Sequence, residues 1–153
     1  MGSLGPTTLA PSGAFTAVVT GRRVEIPNRI YHAVPGPEAR SVLTARQLLI
    51  LDCLLTRHHD GFVRQRAASR ILPADRPWVA PFVVHLIGEY VVEIVAAIAA
   101  ELAVGDVRLA LYRGFARENQ GLIALVRARD QLLELLLPPR LAVLRRLSGT
   151  GPA

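Results

Sequence analysis

Trp78–Ala100, WVAPFVVHLIGEYVVEIVAAIAA, is the stretch from which the fold is read. Its apolar residues occupy nearly every side of a helix, and a helix that is apolar all round is normally buried. Within it, His85, Glu89 and Glu93 recur at four-residue spacing. At about 100° per residue the three fall within an arc of roughly 80°. Trp78, Phe82, Val92 and Ala96 project to the same side, so the stripe is not an ordinary solvated face. An ionised carboxylate in such surroundings needs an arginine, a metal ion or a proton of its own. A buried helix carrying a polar seam is therefore the first expectation.

The apolar run from Pro77 to Gly105 has the length of a membrane span. His85, Glu89 and Glu93 sit at its middle, where charge is most costly in lipid. The reading is instead a core helix of a cytoplasmic protein with no membrane association. Met1–Leu4 opens without the basic and long apolar regions of a secretory signal. Cys53, the one cysteine, has no intrachain partner and reads as a small core residue in a reduced compartment.

Composition limits the function classes. The chain of 153 residues has room for one domain with a substantial core. Half of it is hydrophobic and its mean hydropathy is +0.33, an excess that an oligomer interface would absorb. A net charge of +6 suggests nucleic acid, yet all 18 basic residues are arginine and none is lysine. That pattern, with abundant Ala, Val, Leu, Pro and Gly, fits GC-rich, bacterial-type coding. Arginine also suits buried bidentate pairs with carboxylates, so part of the charge is expected inside.

Outward from the central run, the chain reads as mainly α, a bundle of about four helices with an N-terminal appendage. Residues 1–14 are rich in Gly, Ser, Thr and Pro and read as a disordered tail. Residues 15–43 form an irregular segment in which Thr20-Gly21 marks a small hairpin. The helical domain covers 44–147, followed by a disordered tail at 148–153. Its first helix opens at Thr44-Ala45-Arg46-Gln47, a capping box, and stops before Asp60-Gly61. A second runs from Phe62 to about Leu72, ended by Pro73. Pro77 and Pro81 cannot share one first turn, so the central helix starts near Ala80 or kinks. A fourth runs from Val107 to Leu137, with a break near Asn119-Gln120-Gly121.

Three constellations carry chemistry. Asp52, Thr56 and His59 share a stripe on the Thr44 helix, so two polar lines would meet if that helix packs on the central one. His85, Glu89, Glu93, Asp52 and His59 then form a candidate set of ligands for a divalent transition metal, which would make the chain an enzyme. The paired Glu-x-x-His motifs of di-iron bundles and the His-Glu-x-x-His motif are absent. The plainer expectation is structural: Glu89 and Glu93 paired with Arg57, Arg64 or Arg66, and no cofactor. The third constellation is the helix pair around Asp60-Gly61, a helix-turn-helix in outline. In that reading Phe62, Val63, Ala67 and Ile71 face the core, and Arg64, Gln65, Ser69 and Arg70 meet DNA. No wing, basic arm or zinc ligand set accompanies it, so DNA is the disfavoured partner.

No glycine-rich phosphate loop, nucleophile elbow or Cys-x-x-Cys spacing occurs. Leu132–Leu137 is too dense in leucine for a single core stripe and suggests a partner surface. The expectation is a non-catalytic, self-associating helical protein with an interaction or regulatory role. A metal-dependent enzyme and a DNA-binding regulator are the alternatives.

Overall fold

The computed structural model describes residues 13–89, 91–104 and 106–131. The chain is mainly α-helical, with an antiparallel hairpin, β1 (Ala14–Val19) and β2 (Arg22–Pro27), leading into the helices. Seven helices follow among the described residues: α1 (Pro37–Ser41), α2 (Ala45–Leu55), α3 (Gly61–Ile71), α4 (Ala80–Ile87), α5 (Val92–Val104), α6 (Asp106–Glu118) and α7 (Gln120–Gln131). The expected tails and the leucine-rich stretch from Leu132 lie outside the described residues.

The count exceeds four because two long expected helices are each divided and because α1 forms within the segment 15–43, expected to be irregular. Gly88 caps α4, its N–H bonding to the His85 carbonyl at 3.2 Å while Glu89 N–H bonds to Leu86 at 3.0 Å. This tightened last turn ends the helix before Glu89, so His85, Glu89 and Glu93 do not share one helical stripe. The second division falls at Asn119, between α6 and α7. At the front of α4, Pro77–Val79 forms a turn of 3-10 helix and Pro81 occupies the first turn of the α-helix proper. Each proline thus opens its own segment, where a missing N–H is tolerated.

Helix starts follow local chemistry. The Thr44 hydroxyl accepts from Gln47 N–H at 3.3 Å and the Gln47 side chain accepts from Thr44 N–H at 2.9 Å, the reciprocal capping box. Asp60 caps α3, accepting from Phe62 N–H at 2.8 Å, and this bond holds its carboxyl below the usual range.

Helix α4 is the axis of the core. Val79, Ala80, Val83, Val84, Leu86 and Ile87 are almost fully enclosed, and Ile94 and Ile98 of α5, Tyr112 of α6 and Val126 of α7 surround them. A smaller apolar cluster, Leu55, Val63 and Ala67, joins α2 to α3. Phe62 departs from the expected inward stripe: it is 75% exposed, while Val63, Ala67 and Ile71 turn inward. Phe62 lies about 100° round the helix from Val63, and Val63 is the position that continues the buried row.

The hairpin is too small to stand alone, and its docking is specific. Thr20 and Gly21 adopt φ of 48° and 77°, the left-handed pair of a type I′ turn. Its inward residues Ala17 and Val19 join the core. The Asn119 side chain accepts from Val18 N–H at 2.6 Å and donates to the Val18 carbonyl at 2.7 Å and to Phe115 at 2.9 Å. One buried amide at the α6–α7 break thus pairs with the strand as a neighbouring strand would.

Candidate functional site

Two buried carboxylates, Glu89 and Asp52, organise the polar interior, and each gathers its own arginines. Just beyond β2, Asn28–His32 runs as a strap beside the α2–α3 turn. Ile30 N–H bonds to the Arg57 carbonyl at 2.8 Å, and His59 N–H bonds to the Ile30 carbonyl at 3.0 Å. The strap brings Arg29 to Glu89, α2 ends so as to deliver Arg57, and the first turn of α3 delivers Arg64.

The three guanidiniums close on one carboxylate. Arg29 Nη1 and Arg57 Nη1 each lie 2.8 Å from Glu89 Oε1, and Arg64 Nε lies 2.8 Å from Oε2. The Arg64 contact is ionic and off the N–H axis. Arg57 is 1% exposed and Glu89 4%. The rest of each arginine is spent on backbone: Arg57 Nη2 donates to the Asn28 carbonyl at 2.7 Å, and Arg64 Nη1 donates to His58 and His59 at 2.8 and 2.9 Å. Arg57 also lies 5.8 Å above the Phe15 ring, which stacks on His85 at 4.1 Å. The knot therefore ties hairpin, strap, α2, α3 and the α4–α5 break together.

Its electrostatics follow from this packing. Burial alone would raise the Glu89 carboxyl, but His85, Arg29 and Arg57 more than reverse that and hold it at about 2. Burial lowers the basicity of Arg57 and Arg64, and Glu89 offsets part of the fall. At neutral pH the site is an ionised carboxylate inside a positive shell.

Asp52 sits apart. It is 5% exposed, with Arg40 Nη2 3.0 Å from both carboxylate oxygens and Arg70 Nη1 3.3 Å from Oδ1. Its neighbour Cys53 is enclosed, and burial, reinforced by the Asp52 charge, pushes that thiol up to about 12.

The residues singled out in the sequence are therefore dispersed. His85 Nδ1 lies 3.7 Å from Glu89 Oε1. Glu93 is exposed and lines a surface groove with Arg66, so neither belongs to the Glu89 knot. Asp52 belongs to a different arginine pair, and His59 is exposed and stacked on Tyr31 at 5.4 Å. Of the seam of Asp52, His85, Glu89 and Glu93 only the His85–Glu89 contact is formed: Glu93 faces the surface groove, and α2 presents Asp52 to α1 and α3. Among the described residues, no three His, Cys, Asp or Glu side chains cluster as metal ligands.

The four residues proposed to meet DNA do not form one open edge. Arg64 is buried in the knot, Arg70 is tied to Asp52, and the Ser69 hydroxyl donates to the Arg66 carbonyl at 2.8 Å. Gln65 lies in the groove with Glu93.

Arg29, Arg40 and Asn119 were not singled out from the sequence as site residues. Arg29 and Arg40 follow Asn28 and Ala39 in irregular or short helical segments, with no periodic signal to mark them. For Asn119 a cue existed: a polar amide between two apolar helical runs. No helix among the described residues is long and apolar enough to cross a membrane. No protein-family model, curated protein or solved structure matches the chain.

Proposed function

We propose that this chain is a non-catalytic helical interaction protein, regulatory in role, that self-associates through the face formed by α3 and α5. The observation that carries the reading is a groove of about 330 Å³ on that face, with Phe62, 75% exposed, at its edge. Its apolar floor includes Ala68, Ile94 and Ala97, and it carries one charge of each sign, Arg66 and Glu93. A two-fold interface uses the same patch on both copies and so must complement itself. Opposite charges beside an exposed aromatic and an apolar groove meet that demand. Arg66 of one copy faces Glu93 of the next, while Phe62 fills the partner's groove.

The Glu89 knot enters this reading as a structural lock. A carboxyl held at about 2 carries no proton to donate at neutral pH. A divalent cation bound there would have to displace or lie against three guanidiniums, which disfavours the His85/Glu89 metal reading.

The test is mass in solution. Sedimentation should give the wild-type chain twice its 16.6 kDa monomer mass at about 50 μM, a concentration suited to affinities in the micromolar range. Phe62→Asp, and separately Glu93→Arg, should return it to the monomer with an unchanged far-UV spectrum. A monomeric wild type, or dimers indifferent to both variants, would overturn the reading.

A further inference from the structure

Next to that groove, and meeting it at Arg66, the chain holds a second concavity, of about 510 Å³, between α3, α1 and the segment leading to α1. Arg40, Arg66 and Arg70 line it, and Val34, Leu55, Val63 and two prolines supply apolar wall. Asp52 is the only carboxylate that the described ion pairs place on these arginines. With Arg66 committed to the α3–α5 groove, the one negative charge of Asp52 against Arg40 and Arg70 leaves an excess of one positive charge beside a largely apolar hollow.

The hydrogen bonds sharpen this. Asp52 engages Arg40 through Nη2 alone. Arg70 gives Asp52 one 3.3 Å contact from Nη1 and keeps its other donors. Guanidinium forks match the planar or tetrahedral oxygens of carboxylates and phosphates. Mostly apolar walls with a few placed polar groups are typical of small-molecule pockets of this size.

We propose that this cavity binds a small amphipathic oxyanion: an anionic oxygen group held by Arg40 and Arg70, joined to a compact apolar body packed on Val34, Leu55 and Val63. The inference stands on the cavity and on Arg40 and Arg70, which lie outside the α3–α5 groove; Arg66 lines both and is left to self-association.

Phenyl phosphate serves as the probe, titrated by calorimetry into the wild-type protein, with inorganic phosphate and phenol as the two half-ligands. Phenyl phosphate should bind saturably, at least tenfold tighter than either half. Arg70→Gln should weaken it at least tenfold; the variant leaves Asp52 its closer partner Arg40, whose Nη2 reaches both carboxylate oxygens, and lies outside the α3–α5 groove, so its oligomeric state should be that of the wild type. Arg22→Gln, on the exposed hairpin turn, should bind as the wild type does. Absence of saturation by 10 mM, roughly the weak limit of a specific site, would overturn the proposal. So would inorganic phosphate binding as well as phenyl phosphate, or equal loss in Arg22→Gln and Arg70→Gln. If Arg70→Gln fails to fold, Val34→Glu, which places a carboxylate at the exposed part of the cavity wall, replaces it, and retained affinity there overturns the proposal.

Discussion

Replacing Glu89 with glutamine keeps the side chain's size and removes the one negative charge that three arginines share. The magnitude follows from the carboxyl itself. Lowering it from its ordinary 4.5 to about 2 means that the fold favours the ionised over the neutral form. At 1.36 kcal/mol per pH unit this preference is about 3 kcal/mol. Glutamine imitates the neutral form, so Glu89→Gln should cost about 3 kcal/mol at pH 7, in the range found when one partner of a buried ion pair is removed. That is a large fraction of the stability of an ordinary domain. The pH dependence has a definite sign. A carboxyl depressed in the fold contributes fully above its unfolded value and loses that contribution as pH falls through its folded value. The wild-type advantage should therefore be complete above about pH 5 and fade between pH 4.5 and 2. Urea unfolding followed through the fluorescence of Trp78, the single tryptophan, at pH 7, 5 and 3 measures it. A difference below about 1 kcal/mol at pH 7 would place the pair among weak surface bridges and refute the buried lock. A deficit independent of pH would refute its electrostatic origin.

Asn119→Ala should strand the Val18 N–H and carbonyl, costing about 2 kcal/mol, and should raise hydrogen exchange at Val18 more than at Ile98 in the core. Cys53, buried and held near 12, should resist iodoacetamide at pH 8 in the native protein and react promptly in urea; native alkylation at the rate of a free thiol would contradict its burial. Thr20 holds φ of 48°, a conformation that a β-branched residue adopts at a cost, so Thr20→Asn should stabilise the protein by about 1 kcal/mol. A loss of stability in that variant would remove the strain argument.

Features set by a few neighbouring residues were legible in the sequence. The Thr44–Gln47 box, the Asp60-Gly61 turn and the Thr20-Gly21 hairpin each depend on bonds spanning two or three positions, and the residue types declare them. The burial of Val79–Ile87 was legible for a similar reason: an all-round apolar helix has no stable place outside a core. Partner choice was less visible. Of the three arginines nominated for the seam, Arg57 and Arg64 reach Glu89, whereas Arg66 lies at the surface grooves. Arg29 reaches Glu89 from 60 residues away, along a strap with no periodic pattern. The helical projection of His85, Glu89 and Glu93 assumed an unbroken helix, and Gly88 invalidates it. A lone glycine in an apolar run costs only about 1 kcal/mol in a helix, too little to reveal that three arginines on other elements draw Glu89 out of it.

Self-association through the α3–α5 groove is most directly tested by oxidative cross-linking of an Ala97→Cys variant. Cys53 is sealed and leaves the introduced thiol as the reporter. A two-fold axis through the groove brings position 97 against its own copy, so mild oxidation should yield a covalent dimer rapidly, while Val107→Cys, exposed on α6, should remain monomeric. Equal or preferential cross-linking at position 107, or none at 97 with the chain folded, would contradict the account.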